Sequence, residues 1–140
     1  MAVTLRYLLD TNICIYISKK KPPEVLRRFS SLKPGEVGMS VTTYGELYTG
    51  ITKSKFSDAA LKKLEKIVNL IPVQAMSIRV GQHYREVRGL LEQSGTPIGN
   101  NDLWIAAHAL DLDIILVSNN LREFERVPQL KLENWVIETI

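Results

Sequence analysis

Three carboxylates in this chain stand beside apolar segments: Asp10 in "LLDTN", Glu46 in "TTYGELYTG" and Asp102 in "IGNNDLWIA". Each has an ordinary explanation. Asp10, or Thr11 next to it, can cap a helix. Glu46 lies three residues after Thr43, the spacing of a capping box, and Asp102 falls in a first helical turn, where the macrodipole favours negative charge. Taken together they point elsewhere. Carboxylates crowded into one place repel each other unless something neutralises them. A hard divalent cation such as Mg²⁺ does so with carboxylate and water oxygens, and it can activate water against a phosphodiester.

Other chemistries lack their residues. His83 and His108 both fall within helical segments, and no HxxxH or His/Cys set suits zinc. A Walker-type or Rossmann glycine fingerprint is absent. Cys14 sits in an apolar segment with no nearby base and reads as a buried structural thiol.

The acids need elements to bring them together. Residues 5–9 suit a buried strand, and 12–18 put Ile13, Tyr16 and Ile17 on one helical face. Pro22 and Pro23 lead into a short helix through Val25, Leu26 and Phe29. "VGMSV" (37–41) is the next strand, followed by helical spacing of Tyr44, Leu47, Tyr48 and Ile51. Ser57 or Asp58 is expected to cap a long helix carrying Leu61, Leu64, Ile67 and Val68.

"LIPVQA" (70–75) is a short strand, and Val80, Tyr84, Val87 and Leu91 mark a helix that "SGTPIG" ends. A helix from Asn101 precedes the strand "DIILVS" (113–118); "NNLREF" is a turn with a short helix and "LENWVIE" a final strand. This alternation predicts an α/β sandwich with a mainly parallel sheet, in a single domain spanning 1–140. In such a sheet the strands' carboxyl ends share one edge, where ligands bind. Asp10, Glu46 and the polar set Ser118, Asn119, Asn120 and Glu123 follow strands; Asp102 begins a helix that precedes one.

Hydrophobic residues make up 45% and charged residues 24% of the 140 residues, the balance of a globular domain. Apolar runs fall short of a membrane span, no signal-like core precedes Asp10, and one cysteine suits a reducing compartment. These features predict a cytoplasmic protein with no membrane association. The net charge of +3 and pI near 9.0 are compatible with a nucleic-acid substrate without specifying one.

"LLDTN", "SVTTYGELYTG", "IGNNDLWIAAHAL" and "ILVSNNLREFERVPQL", in that order, resemble the motifs of PIN-domain ribonucleases, most of all the VapC toxins of bacterial toxin–antitoxin pairs. The resemblance runs from Tyr7 to about Trp135. It implies a three-layer α/β/α fold, an endoribonuclease dependent on Mg²⁺ or Mn²⁺, a homodimer, and inhibition by a VapB-type antitoxin. It places the family's metal-binding acids on Asp10, Glu46 and Asp102. Thr11 and Asn12 match residues that orient the first acid, and Ser118 matches a hydroxyl near the metal. Many relatives carry an aspartate about two residues past that hydroxyl, where this chain has Asn119 and Asn120. Glu123 is the nearest acid, and "NNxREF" resembles a subgroup in which that glutamate serves. Relatives of this form cut structured RNAs, including tRNAs in single-stranded loops.

A dehalogenase-type phosphatase needs a second aspartate where Asn12 stands. A non-catalytic binding module keeping this fold is favoured only by Asn119 and Asn120, and metal binding separates it from an enzyme. Lys53, Lys55, Arg85 and Arg88 are the candidate phosphate contacts, though solvated helix faces look the same in sequence. Ile13, Tyr16 and Ile17 on one helix, with Tyr48 and Ile51 on another, either complete the core or present an apolar surplus. Such a surplus suggests a groove for an amphipathic segment of another chain, which the resemblance implies is the VapB-type antitoxin.

Overall fold

The computed structural model describes residues 3–137. Five short strands form one sheet in the order β3-β2-β1-β4-β5, every pair parallel. They are β1 (Tyr7–Leu9), β2 (Val37–Ser40), β3 (Val73–Gln74), β4 (Ile115–Val117) and β5 (Leu132–Glu133). Between them run α1 (Thr11–Lys19), α2 (Pro23–Ser30), α3 (Val41–Thr52), α4 (Ser57–Leu70), α5 (Ile78–Gln93), α6 (Asn100–Leu112) and α7 (Leu121–Phe124).

Strand alternation divides the core in two. Tyr7, Leu9 and Val117 face α1, α2 and α4 with Ile13, Cys14, Ile17, Val25, Ile67 and Ile71. Leu8 and Leu116 face α5 and α6 with Val87, Leu91, Leu103, Ile105, Ala106 and Ala109. The expected three-layer α/β/α arrangement follows, and the sheet is wholly parallel among the described residues.

Several boundaries differ from expectation. In "LIPVQA" only Val73 and Gln74 pair, and in "LENWVIE" only Leu132 and Glu133 do. Trp135 is buried against Tyr7 without joining the sheet, and Glu138 lies outside the described residues. Asp113 ends α6 in the left-handed region instead of starting a strand. Neither Ser57 nor Asp58 caps α4: Phe56 holds the cap position without a side-chain bond.

The chain order places the acids. Strands β2 and β3 build outward on one side of β1, and β4 and β5 on the other, so the order reverses at β1. A reversal of this kind opens a crevice at the carboxyl edge. Helix α6 must return the chain to the start of β4, so its first turn lies at that same edge.

A candidate carboxylate site at the carboxyl edge of the sheet

Asp10 follows β1 directly. Its N–H donates to the Val117 carbonyl at 3.0 Å, and its Oδ1 accepts from the Ile13 N–H at 3.1 Å, capping α1. The capping role and the site position are therefore one: the carboxylate that starts the helix also stands at the strand end. Asp10 is buried, which pushes its pKa up, and the Glu46 charge adds to this. The Ser118 hydroxyl and the main-chain N–H groups of Ile13 and Asn12 act in the opposite direction.

Glu46 owes nothing to a capping box. Ser40 caps α3, its Oγ accepting from the Thr42 N–H at 3.2 Å, and Thr43 is buried within the helix. The Glu46 carboxylate instead accepts from the Thr11 hydroxyl at 2.7 Å. Thr11 thus holds the second acid, whereas the resemblance gave it to the first. Asn12 serves Asp10 through its main chain, while its side chain donates to Asn119 Oδ1 at 3.4 Å.

Asp102 stands in the first turn of α6 and meets Glu123 from α7. The two carboxyls act on each other as hydrogen-bonding partners, which holds Asp102 towards its protonated form and Glu123 towards its ionised form. Burial, that bond and the charges of Glu123, Asp10 and Glu46 together push Asp102 up to about 7. Glu123 is held low by the Asp102 bond, the Asn120 amide at 3.1 Å, the Gly99 N–H and the Arg126 charge. Ser118 Oγ accepts from the Asn120 N–H at 2.9 Å, which fixes the turn carrying that amide.

Asp10, Glu46, Asp102 and Glu123 therefore feel one another, and Asn120 and Ser118 brace them. The leading causes acting on Asp102 all raise its pKa, while the Arg126 charge acts on Glu123 beside it. The donor set is carboxylate, hydroxyl and amide oxygen, which suits a hard divalent cation. Among the described residues no three acidic, histidine or cysteine side chains are already drawn together as a metal cage. The carboxylates fit such an ion in chemistry. An open groove of about 550 Å³, lined by Thr42, Gly45, Glu46, Thr49 and Asn101, runs up to this cluster between α3 and α6.

The remaining candidates separate. Lys53, Lys55, Arg85 and Arg88 are all exposed, but Arg88 is engaged with Glu92 at 2.8 Å and the Tyr84 hydroxyl at 2.9 Å. Ile13 and Ile17 are core residues, sealed under α2 and α4, and contribute nothing to a surface groove. Tyr16 packs against the same core, and its hydroxyl accepts from Asn119 at 2.8 Å. Tyr48, 42% exposed, is free to meet a partner, and Ile51 is half-buried. Sequence reasoning missed Thr43, Gly99 and Arg126. Arg126 alone carried a signal, a cation three residues after Glu123.

A family model described as "PIN domain" matches residues 7–130. The chain is 42% identical to ribonuclease VapC2 of Haemophilus influenzae over 94% of its own length and 99% of the relative's. It is 40% identical to the tRNA(fMet)-specific endonuclease VapC of Shigella flexneri, over 94% and 98%. Among solved structures it superposes with a TM-score of 0.88 on a chain of VapBC2 from Rickettsia felis bound to a promoter DNA fragment. That chain is 38% identical, and the match covers 94% of this chain and all of that one (100%).

Fold and site together define a PIN-domain nuclease. Within that class, the chain belongs to the VapC family of ribonuclease toxins. Among the described residues no helix is long and apolar enough to cross a membrane.

Proposed function

We propose that this chain is the ribonuclease toxin of a VapBC-type pair and hydrolyses RNA phosphodiesters at the Asp10–Glu46–Asp102–Glu123 cluster with Mg²⁺ or Mn²⁺. The observation that carries this reading is Asp102, pushed up to about 7 by burial together with the neighbouring Glu123, Asp10 and Glu46 carboxylates. Asp10, Glu46 and Asp102 would hold the ion, with Glu123 beside them. When bound, Mg²⁺ or Mn²⁺ neutralises the crowded carboxylates and acidifies water next to the scissile phosphate.

The protein's own groups do the rest. Thr11 fixes the Glu46 carboxylate, so that oxygen faces the cluster without a rotamer search. Asp102, raised to about 7, would have to ionise to hold the ion, so binding would release a proton near neutral pH. Gly99, Asn120 and Arg126 keep Glu123 ionised and able to accept a proton. The groove beside Glu46 is open enough to admit a polyanionic backbone.

The name of the Shigella flexneri relative, a tRNA(fMet)-specific endonuclease, favours tRNA as the substrate. A VapB-type antitoxin is the natural partner, as in the VapBC complex of Rickettsia felis, and the toxin would act as a homodimer in the cytoplasm. The deciding experiment is cleavage of tRNA by the purified chain with Mg²⁺ or Mn²⁺ against an EDTA control. Cleavage that survives EDTA, or no cleavage with either ion, would overturn the assignment.

A further inference from the structure

Among the described residues one hydrogen bond between side chains joins the β2–α3 segment to α6. His108 Nδ1 lies 3.0 Å from Ser40 Oγ, and both residues are fully buried. Ser40 caps the helix that carries Glu46, and His108 lies on the helix that carries Asp102. The two groups therefore sit on the frame that separates two of the four acids, without belonging to the cluster.

Ser40 Oγ accepts from the Thr42 N–H at 3.2 Å and keeps both its own proton and a second lone pair, so its bond to Nδ1 forms with either tautomer of the ring. Nε2 is buried with no partner at hydrogen-bond geometry, although the backbone of Ala75, just past β3, acts in favour of a proton on the ring. Burial keeps the imidazole neutral. An apolar side chain of similar volume would leave no buried donor unsatisfied. A neutral imidazole pays that penalty and gains a directional tether, which an apolar side chain cannot supply.

We propose that His108 is a positioning residue: its imidazole, tethered to Ser40, sets the separation of α3 and α6 and thereby of Glu46 and Asp102. This rests on the metal-dependent ribonuclease reading, but its test does not depend on RNA cleavage alone. The full chain and three variants, His108→Leu, His108→Asn and Ser40→Ala, are titrated with Mn²⁺ by calorimetry and assayed on tRNA. Misplaced ligands behind a metal site cost about 10- to 100-fold in affinity or activity.

Folded His108→Leu should therefore bind Mn²⁺ about tenfold more weakly and lose kcat by about 10- to 100-fold, with KM for tRNA held within about twofold. His108→Asn, whose amide can stand where Nδ1 stands, should recover most of both losses. A folded His108→Leu with wild-type Mn²⁺ affinity and kcat overturns the proposal, as does an Asn variant as impaired as the Leu one. Where His108→Leu fails to fold, Ser40→Ala decides. It keeps the ring and removes the tether, so matched losses support the proposal and wild-type behaviour overturns it. A wild-type chain that binds Mn²⁺ but leaves tRNA intact would defeat the ribonuclease reading, while the Mn²⁺ arm still judges His108.

Discussion

The Thr11 hydroxyl donates to Glu46 Oε1 at 2.7 Å, joining the first turn of α1 to the middle of α3. The same hydroxyl lies 3.4 Å from Thr43 Oγ1, a fully buried group. Thr11→Val keeps the shape and removes the donor. The expected result is a fall in kcat of about 10- to 100-fold with the fold retained, and near-normal cleavage by Thr11→Ser. Steady-state kinetics on tRNA checks this, and a fully active Val variant would remove Thr11 from the site's supports.

Asp102→Asn should abolish cleavage, because a neutral amide is a poor ligand and cannot balance the cation's charge. It should also change the pH dependence of folding. The Asp102 pKa rises from 3.8 to about 7 on folding, so its contribution to stability is complete below pH 3.8 and is lost as the pH climbs to about 7. Thermal melts without metal should therefore show the variant gaining on the wild type across that window. Parallel melting curves from pH 4 to 7 would contradict a raised Asp102 pKa.

Ion affinity should follow the same proton. Because Asp102 must ionise to act as a ligand, Mg²⁺ or Mn²⁺ should bind more tightly as pH rises from about 5 to 7 and then level off. Calorimetry in buffers of different ionisation enthalpy reads the proton released. Affinity independent of pH across that range would mean that Asp102 is not a ligand.

Tyr48 is the place to test antitoxin docking, because on α1 Ile17 is buried and Tyr16 half-buried against the core. Tyr16→Glu with Ile17→Asp would place a charge in the core and unfold the chain, since Ile17 is buried. Tyr48→Glu falls on exposed surface and should leave tRNA cleavage within about twofold while weakening inhibition by a VapB-type antitoxin at least tenfold. Unchanged inhibition would move the docking surface away from α3.

Substrate affinity should depend steeply on salt. Lys53 and Lys55, exposed beyond α3, have no ion-pair partner among the described residues, whereas Arg88 is paired with Glu92. Each of the two lysines that contacts phosphate should lower the log–log salt slope of tRNA binding by about one when changed to alanine. Arg88→Ala should change it less. A slope unaltered by either lysine variant would place the RNA path elsewhere.

The elements and three of the acids were legible in the sequence because their signals are local. A buried strand reads as an apolar run and a helix as a 3.6-residue stripe, and Asp10 and Asp102 sit where such segments begin or end. The shared carboxyl edge then follows from parallel βαβ construction, while the strand order and the crevice at β1 belong to the tertiary structure.

Where local signals end, the sequence misled or was silent. β3 and β5 shrink to two residues each, since strand length depends on how far a neighbour offers pairing groups, and no neighbour is written in the segment itself. The Thr43–Glu46 spacing imitated a capping box that Ser40 had already made unnecessary. Ile13 and Ile17 looked like surface surplus because nothing in α1 says that α2 and α4 will cover it. Thr11 meeting Glu46, Asp102 acting on Glu123 and His108 meeting Ser40 are partnerships across long stretches of chain. Residue types supply the donors and acceptors; only packing of the helices onto both faces of the sheet decides which of them meet.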